Sequence, residues 1–404
     1  MKKLIAIALT AAMTLSLAAC GGNAAPASSA PADNAAPAAE APAAEAPADN
    51  AEAPAADAAA ADEDVIAPQD DWVKMNLVFA TYLTETNPMQ ANIVSLQNHL
   101  DELMPGYITI ETYANNTLLK GADIYDGILN GTCDIGVVQP DYTPARFPLT
   151  AIFSYPGVVY NGAEVATRVF HEWGRTSGAD ELKDIVFMMG VGSGPYCIFT
   201  KNKITSMADL KGKQIRAGAI NASMIEDYGA TPVTMDISEV YEAMRSGLIE
   251  GLYTNYGACA YQNLEDVGYY ALVTPLNSNP SFFAMNKDRF NEMPESQQKM
   301  FMRACDLAFE DTTATYQDAG LMGDRVVEFA SKTDCYFLEG DMLAEFQAAN
   351  DHLMGELVAD LDSKGLPGTE TLEMAKALAD KYNSIMTWED YKACYPEDAD
   401  PSNN

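Results

Sequence analysis

The sequence predicts an α/β protein of two lobes with a helical C-terminal region, and three observations carry that prediction. Short apolar strands alternate with helical segments from Lys74 onward, and the alternation runs in two rounds, the second starting near Ile185. Beyond Met293 the chain reads as helix almost continuously to about Ala379. Strand and helix joined by short connections build a sheet covered by helices, expected here to be parallel. At 404 residues there is length for roughly two or three domains.

In the first round Lys74–Ala80 is strand-like and 88–104 carries apolar residues at helical spacing. Ile108–Tyr113 (ITIETY) alternates as a strand, Ile124–Leu129 is helical, and Cys133–Val138 is a short apolar strand. The second round predicts strands at Ile185–Met189, Tyr196–Thr200, Gln214–Ala217, Pro232–Met235 and Gly251–Thr254. Helices are expected at Ala222–Tyr228 and Ser238–Ser246. In such sheets small molecules bind at the carboxyl ends of the strands.

Ahead of this alternation lie two segments of another kind. Lys2 and Lys3, the apolar run Leu4–Leu17 and Leu17-Ala18-Ala19-Cys20 form a targeting pattern over 1–20. Small residues before a cysteine, followed by Gly21-Gly22, are the bacterial lipoprotein signature, with Cys20 as the lipidated residue. Residues 21–70 hold 23 alanines, seven prolines, ten acids and no Lys or Arg. Like charges and frequent prolines leave too little apolar area to offset ordering, so a disordered tether is expected.

Charge and residue inventory exclude several classes. Lys plus Arg number 24 against 58 Asp plus Glu, a net charge of −34, which repels nucleic acid. Three histidines (His99, His171, His352), no Cys-x-x-Cys and no His-Glu-x-x-His predict neither metal nor cofactor. Gly190-Val191-Gly192-Ser193-Gly194 imitates a dinucleotide fingerprint, but Pro195 and a strand-like YCIFT follow where a helix should open. A flexible crossover between lobes is the better expectation. No nucleophile elbow exists in a strand-to-helix context. The six cysteines after Cys20 read as small buried residues, with one disulfide left open.

The informative stretch is 204–255. Ile204–Arg216 resembles the "P-I-x-x-x-x-D-L-K-G-x-K-I-R" signature of the solute-binding proteins of TRAP (tripartite ATP-independent periplasmic) transporters. Gly229-Ala230-Thr231-Pro232 is similar to their "G-A-x-P", and Ser238–Met244 to their "S-E-V-Y-x-A-L". Gly247–Asn255 follows "G-x-x-D-G-x-x-x-N" with Glu250 in place of the Asp. Weaker similarity covers most of 75–390. The resemblance implies a periplasmic-binding-protein-like fold: lobe I from 71–193 with about 282–321, lobe II from 194–281 with about 322–404. Hinged crossings are expected near 190–196 and 279–284.

Arg216 ends a strand, so its guanidinium should enter the cleft, where the planar fork can hold a carboxylate by two charge-assisted bonds. The resemblance assigns it that role, with Asn255 donating its amide to the same group. Many members carry a second arginine in "G-F-R"; by spacing, that position here is Tyr196. One cationic donor is therefore missing, which favours a monocarboxylate with an uncharged or aromatic body. Gln139 and Tyr82, just past the first-lobe strands, are further candidates, and the alternative for each is a solvated loop residue. The implied function is extracytoplasmic capture of an organic acid for the small and large TRAP membrane subunits. No enzymatic activity is expected. A surface-anchored hydrolase and a sensory binding lipoprotein without a transport partner remain as alternatives.

Overall fold

The computed structural model describes residues 65–321 and 323–395. The leader 1–20, Cys20 and the tether as far as residue 64 lie outside the described residues. Within the segment expected to be tether, Ile66 instead packs partly buried against the core, and its amide donates to the Met300 sulfur at 3.3 Å.

Eleven strands form two sheets among the described residues: β1 (Met75–Ala80), β2 (Ile108–Tyr113), β3 (Ile135–Val138), β4 (Ile185–Gly192), β5 (Tyr196–Thr200), β6 (Gln214–Arg216), β7 (Thr231–Val233), β8 (Gly251–Asn255), β9 (Tyr270–Thr274), β10 (Pro280–Asn286) and β11 (Asp334–Phe337). The first sheet runs β2-β1-β3-β10-β4 and the second β11-β9-β5-β8-β6-β7.

Neither sheet is purely parallel, contrary to expectation. β10 lies antiparallel to β3 and β4, and β5 lies antiparallel to β8 and β9. Each of these strands arrives straight from the other sheet, β5 after β4 across 193–195 and β10 after β9 across 275–279. Neither connection contains the helical crossover that a parallel neighbour requires. The helical reading beyond Met293 is likewise interrupted, because Asp334–Phe337 pairs with β9 as β11. Four residues of mixed polarity between helices carry almost no strand signal.

Apolar alternation drives the packing. Leu77, Phe79, Val137, Met189, Phe282 and Phe283 are buried in the first sheet, and Phe170 and Trp173 of the helix Ala163–Thr176 pack beside Phe153 and Phe187. That helix explains the glycine-rich run. A Cβ on Gly190 would sit 2.8 Å from His171 backbone atoms, and one on Gly192 2.4 Å from the Ala166 carbonyl carbon. Both glycines lie within β4 and admit the helix backbone. Only residues 193–195 cross to the second sheet.

The two crossings are tied together. Ser193 N–H donates to Asn279 O at 3.1 Å, Asn279 N–H to Ser193 Oγ at 2.9 Å, and Ser278 Oγ to Ser193 O at 2.6 Å. Of the segment 322–404, β11 joins the second sheet, whereas the helix Gly368–Tyr382 lies against Ala163–Thr176 of the first. Lys381 Nζ there meets Glu172 at 2.6 Å. All six described cysteines are free thiols, with the Cys197 and Cys259 sulfurs 4.0 Å apart. Among the described residues no helix is long and apolar enough to cross a membrane.

Candidate functional site

A cavity of about 120 Å³ opens where the carboxyl ends of β1, β3, β6 and β8 converge, and Tyr82, Gln139, Tyr196, Arg216 and Asn255 all line it.

Arg216 is the last residue of β6 and is buried. Its Nε and Nη2 both donate to Met235 O, at 3.1 and 2.8 Å. That carbonyl follows β7, the neighbouring strand, so sheet geometry fixes one edge of the guanidinium. The Nη1–Nη2 edge retains the donors that a carboxylate would take.

Asn255 closes β8 and caps the helix Tyr256–Tyr261, its Oδ1 accepting from Ala258 N–H at 2.8 Å. The cap commits the oxygen to backbone and leaves Nδ2 as the group for a ligand. Tyr196 stands directly opposite Asn255 in the β5–β8 register. It is buried edge-on against Tyr253, with ring centroids 5.1 Å apart, and its hydroxyl bonds with Asn279. Burial holds the phenol protonated far above its ordinary range.

On the facing wall Gln139 Oε1 accepts from the Tyr82 hydroxyl at 3.1 Å and from Ser281 Oγ at 2.6 Å. Those bonds assign the amide orientation, with Nε2 as the remaining donor. The Tyr82 ring stands edge-on to Tyr142 at 5.4 Å.

Sequence reasoning missed several lining residues. Asp141 is buried; its Oδ1 accepts from Ile220 N–H at 2.7 Å and its Oδ2 from Asn279 Nδ2 at 3.0 Å. Desolvation raises its pKa, opposed by the Ile220 amide, Arg216 and Asn279. A Cβ on Gly218 would fall 1.4 Å from Asp141 Oδ2, so only glycine fits there. Tyr256 and Tyr261 come from the helix that Asn255 caps, and Tyr391 from the helix Trp388–Ala393. The available signal for Asp141 was its place three residues beyond the end of β3, but Gln-Pro-Asp-Tyr reads equally as a turn.

The lining holds one cation, one buried carboxylate and a surround of tyrosine, amide and hydroxyl groups. That set can bind and orient an organic anion. Among the described residues no group of three or more His, Cys, Asp or Glu side chains is arranged to hold a metal.

Comparison with known proteins agrees with this chemistry. Residues 79–360 match the family model DctP, described as "Bacterial extracellular solute-binding protein, family 7". A solute-binding protein of Roseobacter denitrificans is 23% identical over 300 residues, covering 71% of this chain and 89% of its own. A marine metagenome TRAP solute-binding protein specific for aromatic acid ligands, solved with metahydroxyphenylacetate, superposes with a TM-score of 0.70 at 25% identity. That match covers 77% of this chain and 100% of the other. A TRAP solute-binding protein from Rhodoferax ferrireducens, solved with copurified benzoate, shares the fold with a TM-score of 0.68 at 23% identity, covering 77% and 99%. These relatives are transport binding proteins.

Proposed function

The chain belongs to family 7 of the bacterial extracellular solute-binding proteins, the binding components of TRAP transporters, and from that premise we propose that its solute is a monocarboxylic acid with an aromatic or otherwise uncharged body. The observation that carries this reading is the cavity's inventory of charge. Arg216 is the single cationic side chain among the described lining residues, and by spacing Tyr196 stands where the family resemblance would place a second arginine. Around Arg216 the tyrosines offer flat apolar faces for a ring and hydroxyls for its substituents. The 25%-identical relative specific for aromatic acids supports the same class.

Arg216 and Asn255 hold the carboxylate from the second lobe, while Gln139 and Tyr82 meet the body of the solute from the first. The lobes close over it about the paired crossings at 193–195 and 275–279, with ligand selecting the closed form. The loaded protein then docks on the TRAP membrane subunits. Cys20 carries lipid and anchors the protein to the outer face of the cytoplasmic membrane through the tether. Membrane fractionation of Cys20→Ala tests the anchor: release into the soluble fraction is expected, and continued membrane association contradicts it.

A thermal-shift screen over benzoate, 3-hydroxybenzoate, pyroglutamate and succinate tests the solute class, because a ligand that binds only the native state raises its melting temperature. Stabilisation by the aromatic monocarboxylates above succinate is expected. Stabilisation by succinate alone would overturn the assignment.

A further inference from the structure

We propose that Asp141 is a specificity-determining residue, which places a fixed negative charge from the first lobe into the closed cavity and so admits one carboxylate while rejecting a second. The proposal deepens the monocarboxylate reading and rests on it, but it stands on a different residue from the Tyr196 argument. Asp141 lines the cavity without reaching the solvent. Both of its oxygens accept from groups that can only donate there, the Ile220 amide and the Asn279 side-chain nitrogen, an arrangement that suits the ionised carboxylate. It makes no direct ion pair with Arg216, yet each lies within the other's field. The guanidinium thus keeps its own edge for a ligand.

The placement is deliberate in steric terms. Asp141 reaches from the turn after β3 to the 218–221 turn of the second lobe, and Gly218 lets it approach where any side chain would collide. Closing the lobes therefore brings Arg216 and a buried anion to the same cavity. A first ligand carboxylate is matched by Arg216. A second would enter a desolvated space with no cation left and a like charge already present, which is strongly disfavoured.

The test compares affinities for benzoate and isophthalate, measured by calorimetry in the wild type and in Asp141→Asn. The amide is isosteric, and a flip of the Asn279 side chain gives it an acceptor. The ratio of the two constants within each protein is read, so a partly unfolded sample does not bias it. Wild type should favour benzoate, and Asp141→Asn should improve isophthalate relative to benzoate by at least about tenfold. An unchanged ratio with benzoate still bound overturns the role of Asp141 alone. Failure of the wild type to bind benzoate overturns the monocarboxylate reading and this proposal with it. If the Asn variant does not fold, Asp141→Ser removes the same charge and is read by the same ratio.

Discussion

On the second-lobe wall of the cleft both side chains proposed to hold the carboxylate are pinned by backbone: Arg216 by the Met235 carbonyl and Asn255 by the Ala258 amide. On the first-lobe wall the groups hold one another, Tyr82 and Ser281 through Gln139, and Asp141 through Asn279. A pinned donor keeps its geometry whether or not the opposite wall is near. A side-chain network depends on all its members, and Asp141 is also tied to Ile220 across the cleft. In the proposed function, the second lobe therefore acts as the preorganised anchor, and the first brings contacts that closure completes.

The sharpest break in that comparison is removal of the anchor. Arg216→Ala should lower affinity for the best carboxylate by about thirtyfold or more, in line with about 2–5 kcal/mol for truncating one partner of a desolvated charge pair. Arg216→Lys keeps the charge without the fork and should fall between this variant and wild type by calorimetry. Asn255 separates anchoring from folding. Asn255→Asp retains an oxygen for the Ala258 cap but replaces the ligand's donor with an anion, so binding should fall sharply while the melting temperature holds. Asn255→Ala should cost about 1–2 kcal/mol in affinity and, having lost the cap, about 1 kcal/mol in stability. A variant pair with equal stabilities would show that the cap contributes nothing.

How much of this was legible follows the same division. The 204–255 stretch places Arg216 and Asn255 at the ends of two parallel strands with a fixed local spacing, so sequence alone locates them. Asp141 becomes a cavity residue only when a turn after β3 meets Gly218, 77 positions further on, and no local pattern encodes that meeting. β10 was hidden for a related reason. PSFFAMN is a short, mostly apolar run, and its role as an antiparallel insertion in the first sheet depends on where β9 ends.

A weaker break lies on the first-lobe side. Gln139→Leu removes the acceptor shared by the Tyr82 and Ser281 hydroxyls and, with it, the amide Nε2 donor. The expected loss is on the order of tenfold in affinity, less than at Arg216, because it loosens a wall without removing the anchor. A loss as large as that of Arg216→Ala would reverse the proposed division between the walls.

The last effect leaves the cleft untouched: it concerns acid stability and is confined to the first lobe. His171 is half-buried against Phe309, with ring centroids 3.7 Å apart, and its Nδ1 accepts from Gly190 N–H at 3.2 Å. Burial, then the neighbouring Arg175 and Arg168, lower its pKa from 6.5 to about 3. The unfolded chain thus binds a proton over that window while the native state does not. Stability contributed by His171 is full above 6.5 and declines as pH falls toward 3, by up to about 1 kcal/mol per pH unit. Denaturant melts of His171→Asn should show a shallower acid slope than wild type; identical slopes would remove His171 from the account.

The central claim, that Arg216 receives the solute's carboxylate from a second-lobe wall already in place, is tested most directly by a crystal structure with the most stabilising carboxylate of the screen. The account predicts that carboxylate on the Nη1–Nη2 edge of Arg216 with Asn255 Nδ2 beside it, the Met235 and Ala258 bonds unchanged, and the body of the ligand against the tyrosines. A carboxylate bound elsewhere in the cleft, with Arg216 touching no ligand atom, would contradict it.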